Sequence, residues 1–172
     1  QFEPPRKLEV IDEVADLGID SVGIHVESFD PAVLAQVAPA KARTGIETYF
    51  RAWERAVDLC GEGQLSTYVI LGMGEDPELT VQGCRRAIDM GVFPFVVPIR
   101  PVAGSLMEDV KPPDRAYTER IYRKVGAYMA ERGMDTNAPK AGCARCKACS
   151  GQQGVQPLLQ IGPRPVQISH VG

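Results

Sequence analysis

Apolar residues along this chain follow two alternating rhythms. Leu8, Ile11, Val14, Ala15 and Leu17 recur on one helical stripe over residues 6–17, and Gly18 follows as a stop signal. Residues 20–26 (Asp20 to Val26) read as a strand. Asp30-Pro31 then opens a short helix, with an aspartate cap and a first-turn proline. From Thr44 to Glu62, the positions Ile46, Phe50, Trp53, Ala56, Val57 and Cys60 return every three or four residues and predict a longer helix. A strand is expected over 66–71 and a helix over Glu78–Met90, ended by Gly91. Phe93–Ile99 is almost wholly apolar, as a strand buried on both faces requires. A Pro- and Gly-rich loop over Arg100–Pro113 leads to a last helix over Ala116–Arg132, closed by Gly133.

This alternation predicts an α/β fold of parallel βαβ units with right-handed crossovers. Three strands make a thin sheet with two open edges, a poor domain by itself. A helix precedes the first strand, and the chain opens on Gln1 rather than Met. Together these suggest the carboxyl-terminal half of a partial TIM-like β/α barrel over residues 1–133. The character changes over 134–172, where a Cys-rich segment leads into an irregular, extended tail.

Composition narrows the options without choosing among them. At 172 residues, 44% hydrophobic and 24% charged, the chain can bury one core. A net charge of −3 gives no reason to expect a nucleic-acid or anionic-membrane surface. No apolar run reaches the ~20 residues of a membrane span, and no signal peptide is visible. Five cysteines, an odd number with three packed into residues 143–149, argue against a disulfide framework and for a cytoplasmic setting.

The chemistry-bearing residues fall at expected strand ends, where α/β proteins bind ligands. After the first strand, alternation sets His25 and Glu27 on the same side, ahead of Ser28. Glu27 could hold a pair of hydroxyls, or simply cap a helix or pair with a cation; His25 could be a base, or a satisfied core residue. After the second strand comes Ile70-Leu71-Gly72-Met73-Gly74-Glu75. Its glycines let a flat ligand approach bare backbone, although a tight turn alone also explains them. Asp76-Pro77 follows where a dinucleotide fingerprint would need a third glycine. After the third strand, Arg100 sits between Ile99 and Pro101 and could take a carboxylate or phosphate, or pair with Glu27 or Glu75. Cys143, Cys146 and Cys149 form a C-x2-C-x2-C run. That spacing suits an iron–sulfur cluster, with zinc or free thiols as alternatives; Cys60, Cys84, an upstream residue or a small molecule could complete the set, and the two cysteines look more like small buried apolar residues.

The set His25-Val26-Glu27-Ser28, Ile70 to Glu75, and Pro98-Ile99-Arg100-Pro101-Val102 resembles the second half of the radical S-adenosylmethionine (SAM) barrel. Biotin synthase and lipoyl synthase are well-known members. The chain looks closer still to radical SAM proteins encoded beside nitrilases, in which a Cys-rich tail follows the barrel. The resemblance covers about residues 5–133, three terminal units of a (β/α)6 barrel. It implies an enzyme in which a 4Fe–4S cluster reductively cleaves SAM to a 5′-deoxyadenosyl radical that abstracts hydrogen from a small-molecule substrate. It also implies an electron donor such as flavodoxin or ferredoxin. By position, Glu27, with its neighbours His25 and Ser28, would contact the ribose or methionine part. Gly72, Met73, Gly74 and Glu75 would line the adenosine, and Ile99, Arg100 and Pro101 would meet adenine. The family's C-x3-C-x2-C loop belongs to the first βα unit and has no counterpart here. The Cys143/Cys146/Cys149 run therefore reads as an auxiliary site, and the missing barrel half as a required partner.

Overall fold

The computed structural model describes residues 1–154. The element order is α1 (Glu9–Asp16), β1 (Val22–Gly23), α2 (Pro31–Val37), α3 (Pro39–Thr44), α4 (Ile46–Cys60), β2 (Leu65–Leu71), α5 (Pro77–Asp89), β3 (Val92–Pro98), α6 (Arg115–Glu131) and α7 (Gly142–Cys146). The strands form one parallel sheet in the order β1-β2-β3, so the expected α/β class holds. None of the described helices is long and apolar enough to cross a membrane.

Most elements lie within a residue or two of their predicted bounds; three departures have local causes. The first strand is reduced to Val22–Gly23 because its ladder is interrupted at His25. Residues 39–44 form a separate helix, started by Pro39 and ended at Gly45, whose φ of 79° breaks the path into α4. Within the expected irregular tail, residues 142–146 coil into α7. The remainder of that tail, 155–172, lies outside the described residues.

Alternation along β2 sorts the sheet into two faces. Leu65, Thr67, Val69 and Leu71 are buried, while Ser66, Tyr68 and Ile70 are only half-buried. The buried face packs beneath helices, with Trp53 of α4 as its largest member. The Trp53 indole donates to the Ile24 carbonyl at 3.0 Å, so this ring fills the core and satisfies its own polar edge. Burial of each large apolar side chain of this kind contributes about 1.5–3 kcal/mol. On α5, Gly83 lets the helix close onto Phe29: a Cβ built there would lie 2.0 Å from the ring.

The half-buried face is crossed by the segment after α6. Gln64, just before β2, receives that segment: its side chain donates to Ala138 O at 2.8 Å and accepts from Lys140 N at 3.2 Å. The chain then forms α7 against β3 and reaches the outer edge of that strand. There Ser150 Oγ donates to Val96 O at 2.5 Å and Val96 N donates to Gln152 Oε1 at 3.0 Å. Gln152 is 2% exposed. The sheet edge expected to lie open thus has its Val96 donor and acceptor satisfied by side chains.

Candidate functional site

All three strands end along one side of the sheet, and the loops there are tied together. Beyond Ile24 the backbone ladder of β1 breaks. Tyr68 N donates to His25 Nδ1 at 3.1 Å, and Val26 N donates to Thr67 Oγ1 at 3.0 Å. Pairing then resumes through Glu27 N to Tyr68 O and Ile70 N to Glu27 O. His25 therefore replaces a missing rung of the ladder. Burial is the main reason its pKa drops from 6.5 to about 4; the Lys41 charge adds to the effect. A neutral ring whose Nδ1 accepts a backbone N–H must carry its proton on Nε2, which is buried and has no partner.

The bulge also sets Glu27. Its φ of 69° is unusual for a residue with a Cβ, and it turns the side chain toward Lys41. The two charged groups are 3.6 Å apart, and the Glu27 side chain stays 34% exposed. Lys41 also donates to the His25 carbonyl at 2.7 Å and to Glu3, which accepts from the Tyr49 hydroxyl as well. Burial raises the Glu3 carboxyl, but the Lys41 and Tyr49 hydrogen bonds outweigh it and hold its pKa below the ordinary value. Glu3, Lys41 and Tyr49 were not among the sequence candidates. Pro39, a first-turn signal two residues before Lys41, was the cue that a further helix delivers a cation here.

Glu75 folds back on its own turn. Its carboxylate accepts from Gly72 N at 2.9 Å, Met73 N at 2.8 Å and the Tyr117 hydroxyl at 2.7 Å, and the residue is 8% exposed. It shapes the loop, and its acceptors are already taken. The two glycines differ. A Cβ on Gly72 would meet Pro113 at 2.6 Å and Ile99 at 3.1 Å, whereas one on Gly74 would meet nothing within 4 Å. Ser28 is likewise enclosed, at 1% exposure, its hydroxyl accepting from Asp30 N at 3.1 Å. Asp30 caps α2 and also accepts from Asp76 N at 2.9 Å, which joins the loop after β1 to the loop after β2.

At the tip of β3, Ile99 N donates to Leu71 O at 2.8 Å. Ile99 and the exposed Arg100 border a cleft of about 250 Å³ with Tyr68, Ile70, Val97, Pro98 and Cys149. Arg100 makes no ion pair among the described residues: the expected partners Glu27 and Glu75 are engaged by Lys41 and Tyr117. Pro101 continues the chain beyond this cleft. A larger cavity of about 550 Å³ opens between α2, α4 and α5, over Phe29, Phe50 and Gly83. Its charged pair, Glu47 and Arg86, is bound to itself.

All five cysteines are free thiols. Cys84 is fully enclosed by the core under α5, where burial pushes its thiol well above the ordinary range. Cys60 ends α4, with its sulfur 4.0 Å from Ile19 O. Neither is placed to complete the cysteine run. Cys149 lines the same cleft as Tyr68; burial, with Cys143 and the neighbouring thiols adding to it, holds the Tyr68 hydroxyl well above the usual phenol range. Among the described residues, however, no three His, Cys, Asp or Glu side chains are grouped closely enough to hold a metal ion. The three thiols of the run therefore do not form a metal-binding group in this arrangement.

The strand ends thus present Glu27 with Lys41, the open side of Gly74, and the Arg100 cleft along one side of the sheet. His25, Ser28, Glu75 and the flank of Gly72 build that side instead of facing outward. The Arg100 cleft does not include Glu27 or Gly74.

No family model matches the chain, and no solved structure matches it. The chain is 27% identical over 124 residues to bacteriochlorophyllide c C-7(1)-hydroxylase of Chlorobaculum limnaeum, a match that covers 71% of this chain and 31% of the hydroxylase. The chain spans about a third of the length of that curated relative. The likeness is distant.

Proposed function

We propose that this chain is part of a radical SAM enzyme and that its strand tips bind SAM. The observation that carries the reading is the run of binding groups along one side of a parallel sheet: Glu27 with Lys41, the open flank of Gly74, and the cleft beside Ile99 and Arg100. The distant hydroxylase adds support, because hydroxylation of carbon calls for breaking a C–H bond, and a 5′-deoxyadenosyl radical does this by hydrogen abstraction. The sheet is then one half of a β/α barrel, and the 4Fe–4S cluster that binds and reduces SAM is held by the other half.

In this reading Lys41 faces the carboxylate of the methionine part, and Glu27 takes amino or hydroxyl hydrogens. The bare Gly74 backbone admits the flat adenosine, and the apolar cleft between Ile70 and Ile99 accepts the base. His25, Ser28, Asp30 and Glu75 position these groups without touching the cofactor. The protein contributes binding, orientation and exclusion of water; the cofactor supplies the radical. An electron donor such as flavodoxin or ferredoxin and a small-molecule substrate complete the system. Cys143, Cys146 and Cys149 form an auxiliary iron–sulfur site, with zinc as the alternative metal.

The test is SAM binding by the iron-reconstituted protein, followed by equilibrium dialysis. Lys41→Ala and Glu27→Ala should each weaken binding about tenfold or more, as loss of a charged hydrogen bond does. Unchanged SAM affinity in both variants would remove this side of the sheet from the cofactor site. Preference for a simple phosphate or carboxylate, lost in Arg100→Ala, would instead favour a different β/α-barrel enzyme acting on an anionic metabolite.

A further inference from the structure

The donor pair Lys41 and Tyr49 already holds a carboxylate, and it belongs to the chain itself. Phe2 N donates to Gly23 O at 3.1 Å, which sets residues 1–3 along the outer edge of β1. Pro4 and Pro5 follow and carry no N–H, so pairing stops directly after Glu3. There Glu3 Oε1 accepts from Lys41 Nζ at 2.5 Å, and Oε2 accepts from the Tyr49 hydroxyl at 2.5 Å. Donors and acceptor differ sharply in burial. Tyr49 is fully enclosed and the Lys41 side chain is 13% exposed, whereas the Glu3 side chain is 60% exposed. The donor pair is the built-in part of the arrangement, and the carboxylate reaches it from the solvent side. Glu27 lies 3.6 Å from the same ammonium. Lys41 thus faces two carboxylates, and the cluster carries an excess of negative charge.

We propose that Glu3 is an internal stand-in for the ligand's carboxylate, so that the amino-acid end of SAM enters the strand-tip site by displacing it from Lys41 and Tyr49. This rests on the SAM reading given above and adds a gate to it. A second carboxylate cannot join Glu3 on Lys41 with Glu27 also alongside, because like charges at contact distance repel. With the Glu3 side chain turned into solvent, Lys41 and Glu27 present one cation beside one anion. That pair matches the carboxylate and ammonium of an α-amino acid. The exchange replaces one carboxylate by another, so the buried Tyr49 hydroxyl and the Lys41 ammonium keep an acceptor throughout. Without Glu3, the unliganded protein would leave both buried donors bare, which is costly. Glu3 removes that cost and, by the same contact, weakens every carboxylate that must compete with it.

The test compares wild type, Glu3→Gln and the double variant Glu3→Gln/Lys41→Ala. Each full chain is dialysed to equilibrium against SAM and against L-methionine, which carries the same amino-acid end without the adenosine. Glu3→Gln keeps an acceptor for Tyr49 and removes the charge, and circular dichroism checks its fold. It should bind both probes about tenfold more tightly than wild type, the scale of one charged hydrogen bond. Adding Lys41→Ala should abolish that gain. A second measurement needs no variant: in wild type, the carboxyl-carbon NMR signal of Glu3 should move to the position of a solvated carboxylate as SAM saturates the protein. Equal or weaker SAM binding by folded Glu3→Gln, or a Glu3 signal that stays fixed at saturation, would overturn the gate. The SAM reading survives that outcome where binding still falls in Lys41→Ala and Glu27→Ala. Absence of SAM binding in both wild type and Glu3→Gln would overturn the gate and the SAM reading together.

Discussion

Two residues singled out by the sequence as ligand contacts make hydrogen bonds within the frame that carries the strand tips. Glu75 satisfies two backbone N–H groups of its own turn and the Tyr117 hydroxyl. Glu75→Ala should therefore lower stability by about 2–3 kcal/mol in urea unfolding, since buried donors are left unpaired. Tyr117→Phe, which removes one of these bonds, should cost about 1 kcal/mol; equal losses from the two changes would contradict this assignment. His25 gives a pH signature. Its folded pKa, about 4, lies below the ordinary 6.5, so the unfolded chain binds the extra proton first. The contribution of the neutral ring is complete above pH 6.5, declines as the pH falls below it, and is gone near pH 4. His25→Asn keeps an acceptor for Tyr68 N and has no proton to gain. Thermal unfolding of this variant should show a shallower loss between pH 6.5 and 4, and an unchanged slope would show that His25 is not the titrating group. From the sequence, His25 and Glu27 were visible as a strand-end pair. The bulge that separates their roles was not, because it depends on Thr67 and Tyr68 of a strand more than forty residues away.

At the level of elements, periodicity located nearly every helix and strand, and the misses share a physical cause. Helices α3 and α7 have six and five residues, too few for an apolar stripe to declare itself. Their positions come from tertiary contact: Lys41 of α3 reaches Glu3 and the His25 carbonyl, and α7 lies against β3. Close approach between elements is equally hidden from pattern reading. Gly83 occupies a helix interior where alanine normally gains ~1 kcal/mol in propensity. Here the added methyl would lie 2.0 Å from the Phe29 ring, and overpacking costs ~1–3 kcal/mol. Gly83→Ala should thus lower the unfolding midpoint despite its better helix propensity. A rise in the midpoint would mean that α5 can move off Phe29 freely.

For the molecule as a whole, three strand tips and their loops behave as one platform. Asp30 links the first loop to the second, and the Ile99-to-Leu71 hydrogen bond links the second strand to the third. Glycine turns, strand ends and the cysteine run could be read directly from the chain. Lys41, Tyr68 and the Ser150–Gln152 contacts could not, because each gains its meaning from residues distant in sequence. If the platform binds SAM, amide signals of the isotopically labelled chain should report it residue by residue. Titration with SAM, followed by two-dimensional NMR, should move residues 26–28, 72–75 and 99–101 together along one saturation curve and leave the groove over Phe50 and Gly83 unchanged. Shifts confined to that groove, or separate curves for the three loops, would contradict a shared SAM site at the strand tips.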